Sequence, residues 1–310
     1  MAKTRALWRR IRSIESTRQV TRTMEMVSTS KLKRAQGRVV GARPYAQALA
    51  DVIGDLLSPE LAERFPLLRQ PAPPSKGGPQ RAAVLLITSN RGLAGAFNAN
   101  LIRMARERVG ELEAAGYTVD LLVVGKKAIS YFKFMRRPLA LARLDIGDRP
   151  TAEHAAELVA PLIARFEAGE LASLDVVFAQ FKSALTTPPA ILRVLPVEAR
   201  GAGAPPRGIK PALAPGEKVP AAAVANYILK PGADELVGAL LPLYVRNLVF
   251  RALVETAASE HGARRTAMKS ATDNAGELLD ILRRTYNRAR QGQITQELAD
   301  IVGGAEALKG

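Results

Sequence analysis

The sequence contains no cysteine, and this absence excludes several kinds of chemistry. Disulfide bonds, thiolate nucleophiles and cysteine-ligated zinc or iron–sulfur sites all require that residue. His154 and His261 are the only histidines, and they are too few and too far apart to indicate a metal cluster. We expect both to occupy surface or seam positions of helices. No GxxxxGK phosphate loop is present either, so the sequence shows no catalytic constellation.

Long apolar runs and aromatic residues are scarce as well. No stretch of about 18 apolar residues occurs, so we expect no membrane-spanning helix. The charged N-terminus MAKTRALWRR lacks the apolar core of a secretory signal. Aromatics make up 5% of the chain, with Trp8 the only tryptophan, although 47% of the residues are hydrophobic. This composition is typical of helix-rich proteins built from Ala, Leu and Val.

Positive charge is in large excess. The chain has 45 Lys and Arg against 29 Asp and Glu, a formal net charge of +16. Residues 1–45 concentrate the excess, with basic side chains at twelve positions and acidic ones only at Glu15 and Glu25. So few acids leave little scope for pairing within one helix. The excess therefore indicates an acidic partner, although a solvated helix face remains the alternative.

Three regions of the chain differ in their content of proline and glycine. Residues 1–57 contain one proline and no glycine before Gly37, and residues 231–310 contain prolines only near their start. Both regions are expected to form long helices. The middle region, 58–230, carries Pro- and Gly-rich loops at 66–79 and 200–220. We therefore predict an N-terminal helix, an α/β globular domain and a C-terminal helix.

Strand and helix patterns alternate inside the middle region. Apolar runs predict strands at 82–89, 117–125, 174–184 and 191–197. Helical spacing predicts helices at 97–116, 126–135 and 151–169, the last with Thr151 as N-cap. Alternation of this kind favours a Rossmann-like domain with a mostly parallel sheet and flanking helices.

The terminal helices are too long for a compact domain, at about 85 Å and 105 Å. Apolar residues recur at three- and four-residue intervals, which is the pattern of a coiled coil. The expected seam residues are Leu7, Ile11, Ile14, Thr21, Met24, Val27, Leu32, Ala35 and Val39, and Leu236, Leu240, Leu243, Ala275, Leu278, Leu282, Tyr286 and Ala289. We predict an intramolecular antiparallel coiled coil in which 24–39 packs on part of 240–275.

One glycine-rich turn, TSNRGLAGAFN (88–98), follows a predicted strand and opens a predicted helix. Such a turn can cradle a phosphate, but Gly92 and Gly95 do not supply GxGxxG spacing. We expect a structural or contact turn, and a chain that neither hydrolyses ATP nor binds it tightly. Gly92→Val is expected to impair function if Gly92 adopts a positive φ angle.

Several segments resemble the gamma subunit of F-type ATP synthases. RRIRSIESTRQVTRTMEMV (9–27), TSKLKRAQ (29–36) and ARPYA (42–46) are similar to its N-terminal helix, and TSNRGLAGAFN to its central motif. SEHGARRTAMKSATDNAG (259–276) and YNRARQGQITQEL (286–298) resemble its C-terminal helix. The matches run in order along almost the whole chain.

The resemblance implies a non-catalytic central rotor shaft with no cofactor. In this family an antiparallel coiled coil turns inside a ring of alpha and beta subunits, and the α/β domain contacts the epsilon subunit and the membrane rotor (c) ring. Rotation driven by ion flow, usually hydrogen ion transport, forces the beta subunits through their catalytic states. The implied location is peripheral, on the cytoplasmic face of the bacterial inner membrane.

The resemblance also implies which residues contact the stator. They are Met24, Met26, Lys31, Arg91, Gly92, Arg290, Gln291, Thr295 and Glu297. Arg290 and Gln291 correspond to a catch on one beta subunit at a time, and 301–310 to an apolar tip with a Gly303–Gly304 hinge. The chain departs from the family at Asn90, where Asp is usual, and at Arg265, where an apolar residue is common.

Two other classes of protein compete with this interpretation. A basic coiled-coil protein that binds nucleic acid would also use twelve basic residues on one helix. It would not explain the α/β insertion or the absence of stacking aromatics among the basic residues. An α/β enzyme with helical extensions is disfavoured because no catalytic constellation is found.

Overall fold

The computed structural model describes residues 2–56, 64–71, 73–74, 77, 80–197 and 233–307. Two long helices, α1 (Ala2–Leu56) and α5 (Ala233–Ala307), flank the α/β elements. Between them lie β1 (Arg81–Ile87), α2 (Phe97–Ala114), β2 (Thr118–Val124), α3 (Lys126–Phe134), β3 (Leu141–Arg143), α4 (Ala152–Glu167), β4 (Ser173–Ala179) and β5 (Pro189–Leu195). The proposed domain boundaries at 57–58 and 230–231 and the loop at 200–220 fall outside the described residues.

The five strands form one sheet in the order β3-β2-β1-β4-β5. Every neighbouring pair is parallel except β4 and β5, so the expected mostly parallel sheet is confirmed. The predicted strand 174–184 ends early, at Ala179, because the backbone amides of Lys182 and Ser183 donate to the carbonyl of Thr186 and reverse the chain. The strand β3 was not predicted, since three residues are too few to show a pattern.

Side chains of β1 alternate between two buried layers. Ala83, Leu85 and Ile87 pack in one cluster with α4 and both long helices, whereas Ala82, Val84 and Leu86 pack with α2 and α3. Because both faces are covered, the strand is apolar throughout, as is usual in parallel sheets. The predicted cap of α4 is confirmed, since the Thr151 hydroxyl accepts a hydrogen bond from the His154 amide at 3.4 Å.

The helices α1 and α5 pack antiparallel along most of α1. Near the α/β domain, Leu32, Ala35 and Val39 form a cluster with Val254 and Ala258. Further along, the hydroxyls of Thr21 and Thr272 lie 2.8 Å apart, and Ile11 packs on Leu279 and Leu282. As residue numbers rise along α1, those of the contacting residues in α5 fall, which is an antiparallel arrangement. The predicted pairing of 24–39 with part of 240–275 is confirmed.

The predicted seam is wrong at several positions. Leu278 is 38% exposed, whereas the next residue, Leu279, is 1% exposed and faces α1. Close to the domain, Val237, Leu241 and Val245 are buried in place of the predicted Leu236, Leu240 and Leu243. In α1, Val27 is exposed and Ser28 is buried instead. A helix with 3.6 residues per turn drifts from a strict heptad, and here α5 also packs on the sheet, which shifts its buried stripe.

The helix α5 is apolar enough over part of its length to be compared with a membrane-spanning helix. Its composition includes an 18-residue window apolar enough to cross a membrane. Such a window is also found in core helices, and α5 buries Val245, Val249 and Leu253 within the domain core.

At its C-terminal end, α5 continues as a helix through Gly303 and Gly304 to Ala307, so the predicted hinge there is wrong. Glycine lowers helix stability by about 1 kcal/mol per residue without breaking the hydrogen-bond ladder.

Candidate functional site

The paired helices α1 and α5 are called the shaft below. A buried stripe of polar side chains on α5 joins this shaft to the end of β4. The Glu255 carboxylate accepts a hydrogen bond from the Phe181 amide at 3.2 Å. The Thr256 hydroxyl accepts from the Ala179 amide, and the Ser259 hydroxyl donates to the Ala179 carbonyl, both at 3.2 Å. All three α5 side chains are at most 3% exposed. The strand end therefore completes its hydrogen bonds on α5, and this contact fixes the domain to the shaft.

A second contact holds the glycine-rich turn. The Arg264 guanidinium donates to the Gly92 carbonyl at 3.3 Å and to the Glu260 carboxylate at 2.7 Å. Burial raises the pKa of Glu260, although Arg264 acts in the opposite direction. Within the turn, the side-chain oxygen of Asn98 accepts a hydrogen bond from the Ser89 amide at 3.1 Å, and the Ser89 hydroxyl donates to the Arg91 carbonyl at 2.6 Å. The turn is thus closed on itself and fastened to α5.

The left-handed residues of this turn are Leu93, with φ of 63°, and Gly95, with φ of 58°. The condition under which Gly92→Val was expected to impair function, a positive φ angle at Gly92, is therefore not met. A Cβ atom at Gly92 would meet only the end of the Lys127 side chain, at 3.4 Å. The backbone reversal comes one to three residues later than expected, so Gly95 is the glycine that the turn requires.

The Asn90 side chain connects the glycine-rich turn to the loop at 144–146 and to the start of α3. Its amide nitrogen donates to the carbonyls of Leu144 and Ile146 at 3.0 and 3.4 Å, and its oxygen accepts from the Lys126 amide at 2.9 Å. A carboxylate could not make the two donated bonds. The departure from the usual Asp thus has a local use in this chain.

Lys31 of α1 reaches the same region. Its ammonium pairs with Asp148, which also lies 4.0 Å from the Nε2 atom of His261. Against the opposing effect of burial, the hydrogen bond from Lys31 and the charges around it lower the pKa of Asp148. His261 is 2% exposed, and its Nδ1 atom has no hydrogen-bond partner among the described residues. Of the two positions expected for this residue, surface or seam, the surface position is therefore wrong.

Burial lowers the pKa of His261 to about 4, so the imidazole stays neutral in the folded chain at pH 5. In the unfolded chain it protonates below its ordinary pKa of about 6.5, and this favours unfolding by about 2 kcal/mol at about pH 5. Between about pH 7.5 and 5, the free energy of unfolding of the wild type should fall about 2 kcal/mol further than that of His261→Asn. Urea unfolding at both pH values measures the difference.

The control for this prediction is His154→Asn, which removes the other histidine and should leave the pH dependence in place. The raised pKa of Glu260 has the opposite effect, because it makes the folded chain relatively more stable as the pH falls. Glu260 is present in the wild type and in both variants, so its effect cancels in the comparison. Equal pH dependence in the wild type and His261→Asn would contradict a buried neutral imidazole.

The residues expected to contact a stator fall into three groups. Met26 and Arg91 are exposed, while Met24 and Gly92 are half-buried. Lys31 is engaged with Asp148, so it serves the junction inside the chain. At the far end of α5, the side chains of Arg290, Gln291, Thr295 and Glu297 are exposed. The structure does not bring these residues together, because they lie on α1, in the turn at 88–98 and at the far end of α5.

The far end of α5 extends past α1. The Thr4 hydroxyl donates to Gln293 at 2.9 Å, which places the start of α1 beside that residue. Residues 294–307 therefore continue for about 20 Å beyond the pairing. Apolar side chains are exposed on this extension, namely Ile294, Leu298, Ile301 and Val302.

Sequence reasoning missed the polar stripe of α5. Its signal was present, because Glu255, Thr256 and Ser259 interrupt a segment of α5, 248–259, that is otherwise apolar except for Arg251. Buried polar groups of this kind require partners. The partners themselves lie more than 70 residues away, at Ala179 and Phe181, and the pattern of one helix does not identify them.

Comparison with known proteins gives one consistent result. Residues 3–308 match the family model described as ATP synthase. The chain is 54% identical over 310 residues to the ATP synthase gamma chain of Gemmatimonas aurantiaca, with all of both chains covered. It is 40% identical over 311 residues to that of Moorella thermoacetica, again with full coverage of both.

A solved structure shares the fold. A chain in the cryo-EM structure of the Euglena gracilis mitochondrial ATP synthase in rotational state 3 superposes with a TM-score of 0.67 at 19% identity, covering 99% of this chain and 95% of that one. The order of elements, the full-length matches and the resemblance of both terminal helices agree. This chain belongs to the ATP synthase gamma chain family.

Proposed function

We propose that this chain is the central rotor stalk of a membrane-associated F-type ATP synthase. It couples transmembrane ion flow to ATP synthesis by rotating inside the ring of alpha and beta subunits. The observation that carries the proposal is a single antiparallel shaft, fastened to an α/β domain by buried polar contacts and extended at one end by a lone helix. Torque applied to the domain can pass to the shaft through these polar contacts and through the apolar packing of both long helices on the sheet.

The chain acts without catalytic residues of its own in this proposal. ATP chemistry takes place on the alpha and beta subunits, while the epsilon subunit and the membrane rotor ring bind the chain near its α/β domain. No group of three potential metal ligands lies close together in the described part of the chain. The complex is peripheral on the cytoplasmic face of a bacterial inner membrane, and the membrane association of this chain is indirect.

The charges on α1 support a rotor inside an acidic surround. Of the basic side chains of α1 that the structure describes, only Lys31 forms an ion pair. Most of the others are exposed, as Arg9, Arg22 and Lys33 are, whereas Arg38 is half-buried and donates to the Asp148 carbonyl at 3.4 Å. Exposed cations at several angles around a rod attract acidic partner segments without holding the rod at one angle.

The exposed apolar tip supports the same arrangement. Ile301 and Val302 are 67% and 61% exposed on the extension of α5, where α1 no longer covers them. Several exposed apolar side chains together indicate a surface that a partner covers. A smooth collar formed by the alpha and beta subunits would cover this tip and leave it free to turn.

Arg290 is proposed as the catch on one beta subunit at a time. Its guanidinium is exposed and forms no ion pair with any described residue, so it is free to bind a partner carboxylate with two parallel hydrogen bonds. Arg290→Ala should weaken the contact with the beta subunit by about 1–3 kcal/mol of binding free energy. Arg290→Lys should lie between the wild type and Arg290→Ala, because it keeps the charge but loses the two parallel hydrogen bonds. The measurement is ATP-driven proton pumping relative to ATP hydrolysis in membrane vesicles.

Arg288→Ala is the matched control for Arg290→Ala, because Arg288 is also exposed and lies two residues away on another face of α5. It should change the pumping ratio less. Wild-type pumping and hydrolysis in a normally assembled Arg290→Ala enzyme would refute the catch assignment.

Purification tests the assignment as a whole. A rotor stalk should co-purify with alpha, beta and epsilon subunits, and this association should survive salt that strips nucleic acid from basic proteins. A chain that emerges with nucleic acid and without those subunits would instead support the basic nucleic-acid-binding alternative, which no observation described above favours.

A further inference from the structure

A cavity of about 460 Å³ lies where the α/β domain meets α5. It opens at the carboxyl ends of β1 and β2, and its walls are residues 87–91, 145–149 and one face of α5 from Leu253 to Glu260. β1 is the strand from which the sheet order runs both ways, to β2 on one side and to β4 on the other. Open α/β sheets bind ligands outside the carboxyl ends of their strands. The volume suits a small molecule.

The unpaired charge in this cavity is positive. Its three carboxylates are each held by a cation that is not part of the wall. Asp145 pairs with Arg143, Asp148 with Lys31, and Glu260 with Arg264. Arg91 and Arg149 also line the cavity, and neither guanidinium forms a hydrogen bond or ion pair with a described residue. Two free guanidinium groups at one cavity favour an anion.

The other polar side chains of the wall already have partners. The hydroxyls of Thr88, Ser89 and Thr256 donate to backbone carbonyls within the chain. The first amides of α3 are occupied too, because Lys126 donates to Asn90 and Lys127 to the Ser89 carbonyl. Among the side chains of the wall, recognition therefore depends on the two arginines.

We infer that this cavity binds a phosphate group through Arg91 and Arg149, either as free inorganic phosphate or as part of a nucleotide. The planar guanidinium fork matches phosphate oxygens, and two such forks balance the charge of a phosphate dianion. Because both arginines are exposed to water, the affinity should be modest, with a dissociation constant of about 1 mM. This agrees with the expectation that ATP is not bound tightly.

Occupancy would stiffen the joint between domain and shaft. The cavity wall includes Arg91 and Arg149 from the domain and Thr256 and Glu260 from α5. A phosphate held there lies between the two bodies, and a ligand that binds only the folded chain stabilises it. The inference concerns the isolated chain and does not depend on the proposed rotor function.

Equilibrium dialysis of the full chain against labelled inorganic phosphate tests the inference, with chloride holding the ionic strength constant. Binding should saturate at one phosphate per chain. Arg91→Gln and Arg149→Gln should each weaken it at least about tenfold, since each removes charge-assisted bonds. Arg103→Gln is the matched control, because Arg103 is exposed on α2 and does not line the cavity. Unfolding curves verify that every variant is folded.

Competition with AMP identifies the source of the phosphate group. Displacement by AMP at lower concentration than unlabelled phosphate would assign the site to a nucleotide, and failure of AMP to displace would assign it to free phosphate. Binding that does not saturate, or that falls equally in Arg103→Gln, would overturn the site. Neither result would bear on co-purification with the partner subunits.

Discussion

Gly125→Ala should unfold the α/β domain under conditions in which the wild type is stable. Gly125 joins β2 to α3 with φ of 102°, a left-handed value that side chains rarely adopt. A Cβ atom there would lie 2.3 Å from the carbonyl oxygen of Thr88. That backbone cannot retreat freely, because the Thr88 amide and hydroxyl both donate to the Val124 carbonyl. The expected loss is at least about 4 kcal/mol of unfolding free energy.

Gly110→Ala is the matched control for Gly125→Ala. Gly110 lies inside α2 with nothing within 4 Å of its would-be Cβ atom, so alanine should stabilise the chain by up to about 1 kcal/mol. Urea unfolding followed by circular dichroism measures both variants. A loss below about 1 kcal/mol for Gly125→Ala would show that the β2–α3 junction is more adaptable than its geometry indicates.

Glu255→Ala should loosen the domain from the shaft. The Glu255 carboxylate is 1% exposed and accepts hydrogen bonds from the Phe181 amide at 3.2 Å and the Arg251 guanidinium at 2.7 Å. Its removal leaves a buried amide without its acceptor and a cation without its partner. We expect a loss of about 3 kcal/mol. Glu255→Gln keeps an acceptor oxygen and should lose about half as much.

Amide hydrogen exchange gives this prediction a local readout. In Glu255→Ala the amide of Phe181 should exchange much faster, while amides of α2 on the opposite face of the sheet should change little. Glu277→Ala is the control, since Glu277 is exposed on the same helix and forms no ion pair among the described residues. Unchanged exchange at Phe181 would mean that the junction does not depend on Glu255.

The elements that the sequence predicted well are those with strong local patterns. β1 and β2 are continuous apolar runs that end at turn residues, and they lie within two residues of their predicted bounds. Thr151 announces α4 by its capping chemistry alone. The terminal helices were predictable because proline and glycine are scarce in both.

The features that the sequence did not predict depend on contacts between distant residues. The direction of β5 follows from the tight turn at 182–186, which a strand prediction extended to 184 concealed. The seam near Leu279 depends on how far α5 drifts from a heptad while it packs on two bodies. His261 is buried at a place where Asp148 and its partner Lys31, which lie on other elements, come close to α5. The stator contacts remain predictions, because their partners lie outside this chain.

Single-molecule rotation tests the central claim most directly. Since the sequence has no cysteine, Ser130→Cys on the exposed face of α3 gives one specific attachment point for a probe. With the alpha and beta subunits fixed to a surface and ATP added, the probe on this chain should turn continuously in one direction. ATP hydrolysis that proceeds while the attached probe stays at one angle would contradict the account.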